Sequence, residues 1–162
     1  MSQAPILWRI GTEAAGYGAA DLEGKGAGLT GGRWNRAGAP LIYASSTRAL
    51  ACLETLVHLE PFDPLPLNRY LVRIEVPRSD WTARRRFAPL SAHVGWDAEP
   101  PGQVSQGWGS RWVQEMKTLL AEVPSIVIEE EKNILINPRH PNCTKVKAVL
   151  VRKWLYDPRL SR

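Results

Sequence analysis

The 162-residue chain is predicted to fold as a single α+β domain, and three observations carry that expectation. Short apolar stretches that read as strands outnumber segments of helical period. Only about two segments sustain helical spacing over a real length. Long irregular connections separate them, without the regular strand–helix alternation of a parallel α/β fold. With 44% hydrophobic and 23% charged residues the composition is globular, and the length buries a core without covalent staples. No internal repeat or linker divides residues 1–162.

Ile6 to Ile10 is predicted as the first strand, with Ile6, Trp8 and Ile10 packing inward. Residues 11–32 are glycine-rich and poor in large apolar side chains, which predicts a long loop with one helical turn around Ala19 to Leu22. Within it, Gly26-Ala27-Gly28-Leu29-Thr30-Gly31 has the spacing of a dinucleotide-binding fingerprint. That motif needs a strand before it and a helix after it, neither flank fits, and the match is read as accidental. Gly31-Gly32 then lets the backbone turn sharply, or approach a ligand, ahead of Arg33.

Ala39-Pro40 closes this loop, Leu41 to Ala44 reads as a strand, and Ser45-Ser46-Thr47 offers hydroxyls to cap a helix over 47–58. On that helix Ala49, Leu50, Cys52, Leu53, Leu56 and Val57 form an apolar face, opposite Arg48, Ala51, Thr55 and His58. Glu54 falls at the border, where a carboxylate is partly desolvated yet reaches a cleft. After a proline-broken stretch, alternation over 68–76 predicts a half-buried strand with Tyr70, Val72, Ile74 and Val76 on one side and Leu71, Arg73 and Glu75 on the other. Residues 81–107 hold no long periodic segment.

Trp108, Trp112, Val113, Met116, Leu119 and Leu120 recur at helical spacing and predict a core-facing helix stopped by Pro124. Strands are predicted at 125–128, 133–137 and 146–151, with an acidic turn at Glu129-Glu130-Glu131 and an ordered tail from Trp154 to Leu160.

A net charge of +5 and a pI near 9.5 imply an anionic partner: nucleic acid, a phosphorylated small molecule or an acidic protein surface. The densest basic run is Arg84-Arg85-Arg86. With seven tryptophans in the chain, it keeps open a non-enzymatic module that binds single-stranded nucleic acid. Cys52 and Cys143 lack metal-ligand spacing to each other or to the three histidines, so free thiols in a reducing cytoplasm and no metal are expected. No membrane span or signal peptide is recognised, which agrees with a cytoplasmic location.

The stretch from Gly31 to Glu54 places an arginine, an aromatic and a carboxylate in a loop, a strand and a helix that follow one another directly. It resembles the core of the RES domain, the toxin of a family of bacterial toxin–antitoxin pairs. The resemblance rests on Gly31-Gly32-Arg33-Trp34-Asn35, Ile42-Tyr43 with Ser45-Ser46, and Ala49-Leu50-Ala51 leading to Leu53-Glu54. Pro124-Ser125, Asn133, Asn137-Pro138, His140-Pro141 and Asp157-Pro158-Arg159-Leu160 continue the pattern in order, over nearly the whole chain. It implies an ADP-ribosyltransferase-like fold, with two small, mainly antiparallel sheets flanking an NAD-binding cleft and a few helices.

Breaking the bond between ribose and nicotinamide needs a held substrate and a negative charge beside the developing oxocarbenium ion. A guanidinium suits a diphosphate, and an aromatic face suits nicotinamide. The resemblance assigns these roles to Glu54 as catalytic carboxylate, Arg33 on the phosphates or adjoining ribose, and Tyr43 stacked on nicotinamide, while Ser125 supports the substrate or Glu54. Asn35 and Arg48 are further candidates for substrate binding, followed by Arg36 and His140. Each also has a structural reading: Arg33 paired with an acidic loop residue, Tyr43 a core residue with its hydroxyl satisfied, Ser125 the start of a strand.

The implied activity consumes NAD+, as substrate and not as a resident cofactor, with the ADP-ribosyl group captured by water or inorganic phosphate. The alternative is transfer to a protein side chain. The implied partner is an Xre-like helix-turn-helix antitoxin that blocks the active site, through which alone DNA is contacted. The tryptophan content is compatible with a homodimer within such a complex.

Overall fold

The computed structural model describes residues 3–160, and its frame is one seven-stranded sheet in the order β4-β5-β6-β2-β1-β3-β7. In chain order the elements are β1 (Leu7–Thr12), α1 (Lys25–Thr30), β2 (Ile42–Ser45), α2 (Arg48–Leu56), β3 (Arg69–Glu75), α3 (Arg78–Ala83), β4 (Arg85–Arg86), α4 (Gln103–Glu115), β5 (Leu120–Pro124), β6 (Lys132–Ile136) and β7 (Lys147–Lys153). All neighbours are antiparallel except β4 and β5. The α+β expectation holds, and the two small sheets are two wings of a single one. Strands β1, β3 and β7 form one wing and β2, β6, β5 and β4 the other, paired only at Trp8↔Ser45.

Each face of the sheet buries its own core. One side gathers Leu7, Val72, Ile74, Ile42, Ala44, Ile134 and Ile136 under Ala19, Cys143 and Val146. The other side carries two separate clusters. Ile10 and Leu71 pack under Ala51 and Cys52 of α2, while Leu135, Ala121 and Val123 pack under Trp34, Trp108, Trp112 and Phe87. Between those two clusters runs a seam along β2 and β6, and the candidate site lies in it.

Several elements depart from the periodicity. Residues 18–21 make one hydrogen-bonded turn, Asp21 N–H to Gly18 O at 3.1 Å, but the helix of this region is α1, over the glycine-rich run itself. There Gly24 adopts φ +70, and Asp21 accepts from Lys25 N at 3.0 Å. Helix α4 begins earlier than its apolar stripe and ends at Met116, whose left-handed conformation releases Leu119 and Leu120 to the next strand. That strand, β5, covers 120–124 and not 125–128, because Ser125 Oγ accepts the N–H groups of Val127 and Ile128 at 3.0 and 3.1 Å and folds them into a turn. Residues 81–107 contain the second half of α3, the two-residue β4 and the first residues of α4.

The wheel for α2 is rotated from its expectation. Leu50, Ala51 and Cys52 are buried, whereas Ala49 and Val57 are exposed. Ala51 faces inward because α2 lies against the sheet along its small residues, and Thr55 donates to Cys52 O and shares a 2.7 Å hydrogen bond with the Tyr156 hydroxyl.

Candidate active site

The carboxylate is placed by its helix. Thr47, in an extended conformation, caps α2 by accepting from Leu50 N at 3.0 Å, and burial of Leu50, Ala51 and Cys52 then turns half-buried Glu54 into the seam. Glu54 Oε1 accepts from Ser125 Oγ and from Asn133 Nδ2, each at 2.6 Å. Both donors are themselves fixed. Two backbone N–H groups already occupy the Ser125 oxygen, so its single hydrogen goes to Glu54. Asn133 Oδ1 accepts from Ser45 Oγ at 2.8 Å, across a directly opposed strand pair. No described residue donates to Glu54 Oε2, so one oxygen of the carboxylate is anchored and the other is presented.

Tyr43 lies two residues before Ser45 on β2, hence on the same face and about 7 Å along the strand. Its hydroxyl donates to Asn35 Oδ1 at 2.7 Å and accepts from Trp34 N at 3.0 Å. Burial pushes this phenol well above its ordinary value of 10.0, against weaker opposing contributions from the Trp34 N–H and the Arg33 charge. It is therefore a neutral group at any physiological pH. Asn35 donates to Ala27 O and Ala39 O, both at 2.8 Å, so its amide is consumed inside the loop. Asn35 thereby holds the Tyr43 hydroxyl to the loop.

Arg33 is nearly enclosed. It donates to Glu99 Oε2 and Ala98 O, both at 2.8 Å, and to Trp96 O at 3.1 Å, the acidic-loop pairing that its structural reading foresaw. The guanidinium side chain is 12% exposed and that of Glu99 70%, so an incoming anion has an exchangeable carboxylate to replace. Arg48 is exposed and lies over the Trp8 ring at 4.3 Å, and Trp8 is paired with Ser45, which puts Arg48 at the rim of the seam. Arg36 donates to Ser110 Oγ at 3.2 Å and braces α4. His140 accepts from Asn142 N at 3.1 Å and opens a short 3-10 turn whose Cys143 packs on the opposite face of the sheet. The structure does not bring it to Glu54.

The RES domain family matches residues 6–159. The chain belongs to the RES family. Among its relatives, one from Sphingobium sp. (strain YBL2), named "Prs ADP-ribosylating toxin", is 56% identical over 156 residues, 96% of each chain. "Toxin Res" from Pseudomonas putida is 38% identical over 157 residues, 96% of this chain and 99% of that one. The toxin–antitoxin complex of M. tuberculosis MbcT and MbcA contains a chain that shares the fold, with TM-score 0.58 at 15% identity, covering 91% of this chain and 84% of that one.

Within this RES domain hydrogen bonds bring together Glu54 of α2, Ser125 just after β5, Asn133 of β6 and Ser45 of β2, with Tyr43 two residues before Ser45 on the same face of β2. Asn133 and Ser45 had no assigned role in the sequence. Both belong to the residues that carry the RES resemblance, and the strand register is what pairs them. Chemically the cluster offers an anchored carboxylate, with a neutral aromatic side chain two residues along β2 from Ser45. Such a pair suits a substrate that becomes cationic in its transition state. Among the described residues no group of three or more histidine, cysteine, aspartate or glutamate side chains could hold a metal ion, and none of the helices is long and apolar enough to cross a membrane.

Proposed function

We propose that this RES domain is the toxin of a toxin–antitoxin pair, and that it breaks the nicotinamide–ribose bond of NAD+ and passes the ADP-ribosyl group to a protein side chain. The observation that carries the reading is the anchored carboxylate, with Glu54 Oε1 held by Ser125 and Asn133 and Oε2 presented to the seam. The name of the 56% identical relative supports transfer, with Prs as the first acceptor to test. The diphosphate displaces Glu99 from Arg33, and the Tyr43 ring borders the nicotinamide. As the C–N bond breaks, its electron pair leaves with nicotinamide, and Glu54 stabilises the positive charge left on the ribose. An acceptor hydroxyl or amine then bonds to the ribose carbon and releases its proton to solvent.

Capture by water or inorganic phosphate is the second reading. It is favoured by the half-buried position of Glu54, which leaves solvent access to the same cation. One assay separates the readings: the antitoxin-free protein with NAD+, with and without phosphate and Prs, next to Glu54→Ala. Nicotinamide release by the intact protein alone supports the chemistry, and labelled Prs, free ADP-ribose or its phosphorylated form names the acceptor. Undiminished turnover by Glu54→Ala would remove Glu54 from its role. We also propose an Xre-like helix-turn-helix antitoxin that covers this seam with an acidic segment, to which the +5 charge is complementary. A neighbouring gene without a helix-turn-helix pattern would count against that partner.

A further inference from the structure

The basic run at 84–86 takes no part in the site above, and it borders a cavity of about 410 Å³. A second cavity of about 170 Å³ adjoins it and shares Arg85, Trp112 and Glu115. Arg84 is engaged by Glu122 at 2.7 Å and covers the Trp81 ring at 3.9 Å, and Arg86 shares the same carboxylate at 3.6 Å. Arg85 and Arg111 are different: both are exposed, and neither side chain has a hydrogen-bond or ion-pair partner among the described residues. Lys117 adds a further exposed cation, with only a loose 3.9 Å approach to Glu115. The groove therefore carries uncompensated positive charge.

Its position follows from register. Tyr43, Leu135, Ala121 and Arg85 form one cross-strand row, so Arg85 stands three strands from Tyr43, about 14 Å away. The row shares one face, since Leu135 and Ala121 pack with Trp112, which also lines the cavity beside Arg85. Trp34, Trp108 and Trp112 fill the space between and are at most 7% exposed. Buried rings offer no stacking platform, which argues against single-stranded nucleic acid here. The exposed cations come from three segments, β4, α4 and the residues after it, and line two adjoining cavities, an extended distribution that suits a protein face.

We infer that this groove is a docking surface for an acidic face of the protein acceptor, set beside the catalytic seam so that the bound acceptor is held over Glu54. The inference rests on the proposed transfer reaction. Charge reversal of Arg85→Glu together with Arg111→Glu tests it in the full chain, with Prs as the protein probe; both residues are exposed, so the packed core is untouched. Transfer to Prs should fall about tenfold or more in kcat/KM, while nicotinamide release into water and KM for NAD+ stay at wild-type values. A raised KM for NAD+ would assign the groove to the nucleotide and overturn the inference, as would unchanged transfer. Binding of Prs to Glu54→Ala protein is measured separately. Binding that weakens steeply with salt and vanishes on charge reversal supports the docking surface even if no form turns over NAD+, an outcome that would defeat the chemistry alone. Prs that fails to bind at low salt overturns the surface itself.

Discussion

Asn133 separates positioning from chemistry. It touches the carboxylate through one hydrogen bond at 2.6 Å and does not supply the negative charge. A hydrogen bond to a charged group contributes about 1.5–3 kcal/mol, so Asn133→Ala should lower kcat for nicotinamide release about 10- to 100-fold, with KM for NAD+ little changed. Wild-type kcat in a folded Asn133→Ala protein would show that Glu54 is oriented by other groups. Gly32 makes a steric counterpart. A Cβ there would stand 2.7 Å from the Tyr43 hydroxyl and 3.0 Å from Asn35 Oδ1, so Gly32→Ala should cost about 1–3 kcal/mol in a denaturant titration. These two contacts also mark the limit of the sequence. Glu54 and Tyr43 were named in the sequence through the resemblance to the RES domain, whose motif residues lie close together in the chain. The partner of Glu54 on β6 lies 79 residues away, and the acidic partner of Arg33 lies 66 residues away, distances at which no spacing rule operates.

Elements were legible where burial has one period. Strands β2, β3 and β6 and helix α2 fell within a residue or two of their expected bounds because each has a run of large apolar side chains. The misplaced elements are those whose ends are set by backbone or polar devices: the left-handed Met116 that stops α4, the Ser125 turn that ends β5, and the glycine start of α1. Close packing of α4 is likewise invisible in composition. A Cβ on Gly109 would fall 1.9 Å from Trp34 O, so the helix rests directly on the loop that holds Tyr43. Gly109→Ala should cost about 3 kcal/mol or more, since neither backbone can yield. Its chemical melt should lie well below that of Thr47→Ala. Removal of that cap, which holds the Leu50 N–H, costs about 1 kcal/mol and loosens only the first turn of α2. Equal melts for the two variants would show that α4 does not bear on the loop.

At the scale of the whole molecule, the two wings of the sheet are joined by one strand pair, and the groups that lock their contents together are buried protonated acids. Tyr43 ties the loop of residues 31–40 to β2, Tyr156 hydrogen-bonds Thr55 of α2, and Cys52 and Cys143 fill opposite cores. Desolvation raises all four above their ordinary values, 9.0 for the thiols and 10.0 for the phenols. A group whose folded value is raised stays protonated in the native state while the unfolded chain has begun to lose its proton. Its contribution is complete below the ordinary value and is lost as pH climbs from there toward the raised one. Stability should therefore be level from about pH 7 to 8 and decline from about pH 9 upward, with Tyr43 extending the loss past pH 10. Urea midpoints measured between pH 7 and 11 follow this directly. Tyr43→Phe should start from a lower midpoint, because the Asn35 and Trp34 hydrogen bonds are gone, yet fall less steeply above pH 10. A midpoint that rises with pH, or an unchanged slope in Tyr43→Phe, would mean that the tyrosine titrates as freely in the folded protein as in the unfolded chain.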